Sequence, residues 1–208
     1  CVITSFSCHS DVVVAGTRSN ACLVWRGKSD EAEVVRPSDN TQTSGTSHVC
    51  VRHGFITCMF ETSPDYLTQE IGVDEWSRKP RPSTVKCLCN FNSDVVSVGN
   101  GTLFRNANAV TRMRGASHVD CTSAGLLCIG FDDMGTVLVG TLDDDGFTAS
   151  WCRLHSMIGG LSCVSVSDRY GVLCCSTGEP DYSYWTSAGE RRSGPEIATS
   201  YTYNDSTL

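Results

Sequence analysis

Short apolar runs separated by turn-forming residues recur along the chain at intervals of about forty residues. The clearest are Val12–Thr17, Ile56–Phe60, Val95–Gly99, Thr136–Thr141 and Val172–Thr177, and most end in a small residue such as Gly16, Gly99, Gly140 or Ser176. Runs this short and this rich in Val, apolar on successive residues, predict strands covered on both faces. A partner strand precedes each: Val2–Ser7, His48–Arg52, Val85–Phe91, Leu126–Phe131 and Leu161–Ser167. The joints between partners carry Asp, Ser and Gly, as at His9-Ser10-Asp11 and His53-Gly54, which supply the backbone geometry of a tight reversal. Third strands follow at Cys22–Arg26, Tyr66–Ile71, Thr102–Asn106, Phe147–Cys152 and Tyr182–Thr186. Fourth strands are expected near Glu31–Arg36, Val73–Trp76, Ala109–Met113, Leu154–Ile158 and Glu196–Tyr203.

A sheet of four such strands has two apolar faces and cannot bury both alone. Stacking the sheets around an axis lets each cover its neighbour, and a fully buried Val, Leu or Ile then contributes about 1.5 to 3 kcal/mol. The expected fold is therefore all-β, a five-bladed β-propeller of four-stranded antiparallel blades. It forms one domain over 1–208, with blades at approximately 1–38, 47–82, 85–115, 121–159 and 160–208. The strand order, the small residue closing most second strands, and Trp25, Trp151 and Trp185 in third strands resemble WD-repeat propeller blades. The Gly-His and Trp-Asp signatures of that family are absent; Trp25 is followed by Arg26, Trp151 by Cys152 and Trp185 by Thr186. The segment Pro37 to Thr46 is expected to be a long polar loop between the first two blades.

Composition narrows the function. The 208 residues are 40% hydrophobic and 19% charged, an ordinary globular balance, and no apolar run approaches membrane-helix length. A net charge of −7 argues against a grip on nucleic-acid phosphates. The 13 Cys are an odd number and several lie inside apolar runs, as Cys22, Cys58, Cys89, Cys128, Cys163, Cys174 and Cys175 do. That placement suits reduced core thiols and an intracellular, cytoplasmic setting, with a secreted protein as the alternative. The sequons at Asn100 and Asn204 would suit secretion. Cys87-Leu88-Cys89 and Cys174-Cys175 lack the two-residue gap of a zinc site, so no metal and no cofactor is expected.

In a propeller, the turns joining second to third strands share one face. They are read here as Arg18-Ser19-Asn20, Ser63-Pro64-Asp65, Asn100-Gly101, Asp143-Asp144-Asp145 and Glu179-Pro180-Asp181. The candidate partner-binding residues are therefore Arg18, Asn20, Asp65, Tyr66, Asp143, Asp144, Asp145, Glu179, Asp181 and Tyr182. They form an acidic docking face for a protein or peptide of basic character, with the chain as part of a larger assembly. Trp76 and the basic loop Ser77 to Pro82 could add a partner contact. A carbohydrate-binding propeller is the alternative, with Tyr66, Phe147 and Tyr182 at nearly matching positions. Catalysis is not expected, because the carboxylates fall in turns and outer strands and not together on the inner ones.

Overall fold

In the computed structural model, the described residues are 2–37, 45, 47–122, 125–131, 136–143, 146–156, 161–167, 171–176, 182–185 and 191–193. The first sheet runs β1 (Ile3–His9), β2 (Val12–Thr17), β3 (Cys22–Arg26) and β4 (Glu33–Val35). The second holds β5 (Ser47–Arg52), β6 (Phe55–Phe60), β7 (Asp65–Glu70) and β8 (Ser77–Pro80), and the third β9 (Cys87–Phe91), β10 (Asp94–Gly99), β11 (Thr102–Arg105) and β12 (Asn108–Arg112). A fourth comprises β13 (Ala116–Cys121), β14 (Leu126–Phe131), β15 (Thr136–Asp143) and β16 (Gly146–Ser156). Backbone pairing places β17 (Leu161–Ser167), β18 (Gly171–Ser176), β19 (Tyr182–Trp185) and β20 (Arg191–Ser193) in a further set. Strands pair antiparallel in simple sequence order within every sheet.

This is a β-propeller arrangement of four-stranded antiparallel blades. Among the described residues, packed side chains establish four blades, where five were expected. A separate core fills each junction. Val14 and Val24 meet Val51 and Ile56 between the first two sheets, and Met59 and Tyr66 meet Val95 between the second and third. Val98 and Leu103 meet Val119 and Leu127 between the third and fourth, and Val137 meets Val166 beyond. The middle strands β6 and β10 are buried almost throughout, as their unbroken apolar runs require. On β1, by contrast, Ile3 and Phe6 are 58% and 63% exposed.

The first strand of each sheet is also its edge, so its outward backbone groups need partners from a neighbouring blade. Small polar side chains supply them. Ser5 Oγ accepts from Val49 N–H at 3.0 Å, Ser7 Oγ accepts from Val51 N–H at 2.9 Å, and Thr4 Oγ1 donates to Ser47 O at 2.6 Å. The Cys121 thiol donates to Asn90 O on β9 at 3.0 Å, and the Asn90 side chain in turn donates from Nδ2 to Phe55 O at the start of β6 at 2.9 Å.

Several expectations need correction. β13 was not foreseen, since its sequence Ala-Ser-His-Val-Asp-Cys mixes polar residues into the run. Leu126–Phe131 is therefore the second strand of the fourth sheet and not its first, and Gly140 lies on the third strand. The fourth strand of the second sheet is Ser77–Pro80, the stretch read as a loop, and not Val73–Trp76. As a sheet edge it tolerates Pro80. Cys163 is exposed, unlike buried Cys22, Cys58, Cys89 and Cys128. The expected strand Glu196–Tyr203 and nearly all of the Pro37 to Thr46 loop lie outside the described residues.

Two tests of this packing follow. Tyr66 is fully buried and its hydroxyl donates to Ser97 Oγ at 3.0 Å across the second junction. Tyr66→Phe is expected to lower the unfolding free energy by about 1 kcal/mol in urea titration. At the start of β10, burial would raise the Asp94 carboxyl. Hydrogen bonds from Asn106 Nδ2 (2.9 Å) and Arg105 Nε (2.6 Å), with the Lys79 charge nearby, outweigh this and hold its pKa below 3.8. A depressed carboxylate pKa contributes stability above the unfolded-chain value and loses it as pH falls through the folded value. Asp94→Asn should be less stable than the parent at neutral pH, and the gap should close on acidification below that 3.8. A gap that persists undiminished to about pH 2 would show that the ionised form is not what matters.

Candidate functional site

Antiparallel order puts the second-to-third turns and the sheet-to-sheet connections at one end of the blades, here called the turn face. The first-to-second and third-to-fourth turns lie at the other. On the turn face, Asn100 (φ 48°) and Gly101 (φ 64°) form a hairpin turn whose backbone sign suits Asn and Gly. Beside it a cleft of about 350 Å³ opens between the second and third sheets. His48, Met59, Glu61, Arg81, Lys86 and Asn100 are among the residues that line it. Arg81 is fixed there because its Nε donates to Ser63 O at 2.8 Å, with a second donation from Nη2 to the same oxygen. Burial lowers the His48 pKa, with the Glu61 charge working in the opposite sense.

The sequence-predicted residues divide. Arg18 is exposed on the turn face and Asp65 is half-buried at the start of β7. Asn20 is buried, its Nδ2 donating to Thr62 Oγ1 at 2.8 Å, so it joins two blades instead of meeting a partner. Tyr66 is likewise in the core. Asp143 closes β15, which is a third strand, so it leads into the third-to-fourth connection and belongs to the opposite end from Arg18 and Asp65. Asp144, Asp145, Glu179 and Asp181 lie outside the described residues, as does the Tyr182 side chain. Trp76 donates from Nε1 to Glu33 Oε1 at 3.2 Å and packs between the outer strands of the first two sheets. Among the described residues the turn face carries both signs of charge, where an acidic face was expected.

Residues at the opposite end escaped the sequence reading. Asp120 sits on the innermost strand β13, correcting the expectation that carboxylates avoid such strands. Its Oδ2 accepts from Arg52 Nη1, Ser165 Oγ and Val166 N–H, each at 2.9 Å, and Oδ1 accepts from Cys121 N–H at 3.0 Å. Arg52 also donates to Val166 O. The cluster ties β5, β13 and β17 together. A carboxylate so fully occupied by donors acts as a structural latch. Neither Asp120 nor Arg52 breaks an apolar pattern loudly enough to be noticed in sequence.

No protein-family model matches the chain, and no curated protein does. Solved structures do. The β-propeller domain of Myceliophteria thermophila Cps50 (Swd1) superposes at TM-score 0.63 and 12% identity, covering 93% of this chain and 73% of that one. Kluyveromyces lactis Hsv2 gives 0.64 and 14%, over 92% of this chain and 63% of that one. YCF48 bound to D1 peptide gives 0.62 and 11%, over 92% and 67%. At such identities the likeness is one of fold, and the fold is a β-propeller. The chain spans 61% to 73% of the length of these structures and of a computationally designed one, Ika8.

Proposed function

We propose that the chain is a non-catalytic interaction scaffold, a β-propeller that takes an extended segment of a partner protein on its turn face. The observation that carries this reading is the 350 Å³ cleft, because it is assembled from two blades and a connecting segment at that end. Extended peptides dock readily where a groove offers pockets for alternate side chains. Support also comes from YCF48, a propeller of similar fold whose structure holds a peptide. Arg18, Asp65, Glu61, Arg81 and Lys86 give this face fixed charges that set register and speed association. A partner of basic character would be drawn by Glu61 and Asp65. The carbohydrate alternative loses ground because Tyr66, one of its three stacking aromatics, is fully buried.

Selection of a randomised peptide-display library on the immobilised chain tests the proposal. Selected peptides should bind more weakly as salt rises, and Glu61→Lys should change which sequences win. Saturable binding of several monosaccharides per chain, with no peptide selected, would overturn it.

A further inference from the structure

A pair of thiols lies where two blades meet. Cys89 is on β9 and Cys121 ends β13, the first strands of the third and fourth sheets. Their sulfurs are 3.5 Å apart, both side chains are almost wholly buried, and they are 32 residues apart in sequence. The pair is asymmetric. Cys89 points its proton at the Cys121 sulfur, Cys121 donates to Asn90 O at 3.0 Å, and the half-buried His53 ring approaches Cys121 O at 3.0 Å. The Cys89 hydrogen bond, with His53 adding to it, draws the Cys121 pKa down against the effect of burial, while burial drives Cys89 up. One sulfur is thus the better nucleophile and the other holds the proton.

From this geometry we infer that Cys89 and Cys121 form a redox-active dithiol, closed to an inter-blade disulfide by a small peroxide. A disulfide needs about 2.05 Å between sulfurs, so closure asks for a movement of roughly 1.5 Å, within reach of side-chain rotation. The steps balance. The Cys121 thiolate attacks one oxygen of hydrogen peroxide, the O–O bond breaks, and the departing hydroxide takes up a proton to leave as water. Cys121 is then a sulfenic acid. The Cys89 sulfur attacks that sulfur, the S–O bond breaks, and a second water leaves with the Cys89 proton. Two thiols are oxidised by two electrons and one peroxide is reduced to two waters. The product joins the third and fourth blades covalently at their innermost strands.

Treating the whole chain with hydrogen peroxide, blocking remaining thiols and mapping peptides without reduction tests this. The expected result is a cross-linked peptide joining Cys89 to Cys121, reversed by dithiothreitol, together with a higher unfolding temperature than the reduced chain. Cys89→Ala should abolish the cross-link and leave Cys121 over-oxidised, whereas Cys50→Ala should leave it in place. Because the map is read on the parent chain, it decides the matter even where a variant fails to fold. Cys89 and Cys121 remaining as free thiols while exposed Cys163 is oxidised would overturn the inference, as would a cross-link that pairs either with Cys50.

Discussion

Replacing Asp120 by Ala is expected to lower the unfolding free energy by about 3 kcal/mol, the cost of leaving a half-buried guanidinium and a buried amide without their acceptor. The side chains of Arg52 and Asp120 are only 22% and 9% exposed, so solvent cannot stand in for the lost partner. The carboxylate also serves Ser165 and Val166, and its removal loosens β17 as well as β5. The same argument fixes a comparison that a simple packing defect would not meet. The double variant Arg52→Met with Asp120→Leu removes both charges, and it should lose less stability than Asp120→Ala alone. Denaturant titration of the parent, Arg52→Met, Asp120→Leu and the double closes the cycle. A double variant as damaged as the sum of its singles would mean that the two groups act independently.

Gly99→Val should cost about 2 to 3 kcal/mol, the second-largest effect expected of a single substitution. A Cβ at Gly99 would run into the carbonyl of Thr84 and the backbone of Val85, neither of which can rotate away. Thr84 and Val85 are held beside β10 by the Lys86 N–H to Val98 O hydrogen bond at 2.8 Å. They also line the turn-face cleft, so the substitution should weaken peptide binding together with stability. Gly54, where a Cβ would meet nothing within 4 Å, is the matched control for side-chain bulk, although its φ of 78° carries a strain of its own.

Gly99 also shows what was legible in the sequence. Its place at the end of a buried apolar run marked a second strand, and the structure gives the reason: backbone packs directly against it. The same holds for Gly16, whose position abuts Ser47 O and Ser5 Oγ. Strand chemistry alone thus exposed the propeller and most strands of the first three sheets. The fourth sheet was misread because β13 carries Ser117, His118 and Asp120 within its run, polar groups that are buried or half-buried only because neighbouring strands satisfy them. Such partners are invisible in a linear pattern. The displaced register then moved Asp143 onto the wrong end of the ring, and with it much of the supposed acidic face.

The site was less legible than the fold for a related reason. Turn composition placed Arg18 and Asp65 on one end of the blades, and there Arg18 is exposed and Asp65 half-buried. It could not separate Tyr66 from a surface aromatic, since burial of its hydroxyl depends on Ser97 from the next blade. Nor could it find the cleft, whose walls come from residues as distant as His48 and Asn100. Only the radial stacking of one sheet on the next brings those together.

Amide hydrogen exchange of the chain with and without a display-selected peptide addresses the proposed docking face most directly. Protection should appear in segments 59–64, 81–86 and 99–101, which border the cleft, while segments 52–54 and 91–94 at the far end exchange as before. Protection confined to the far end, or spread evenly over both, would contradict the account.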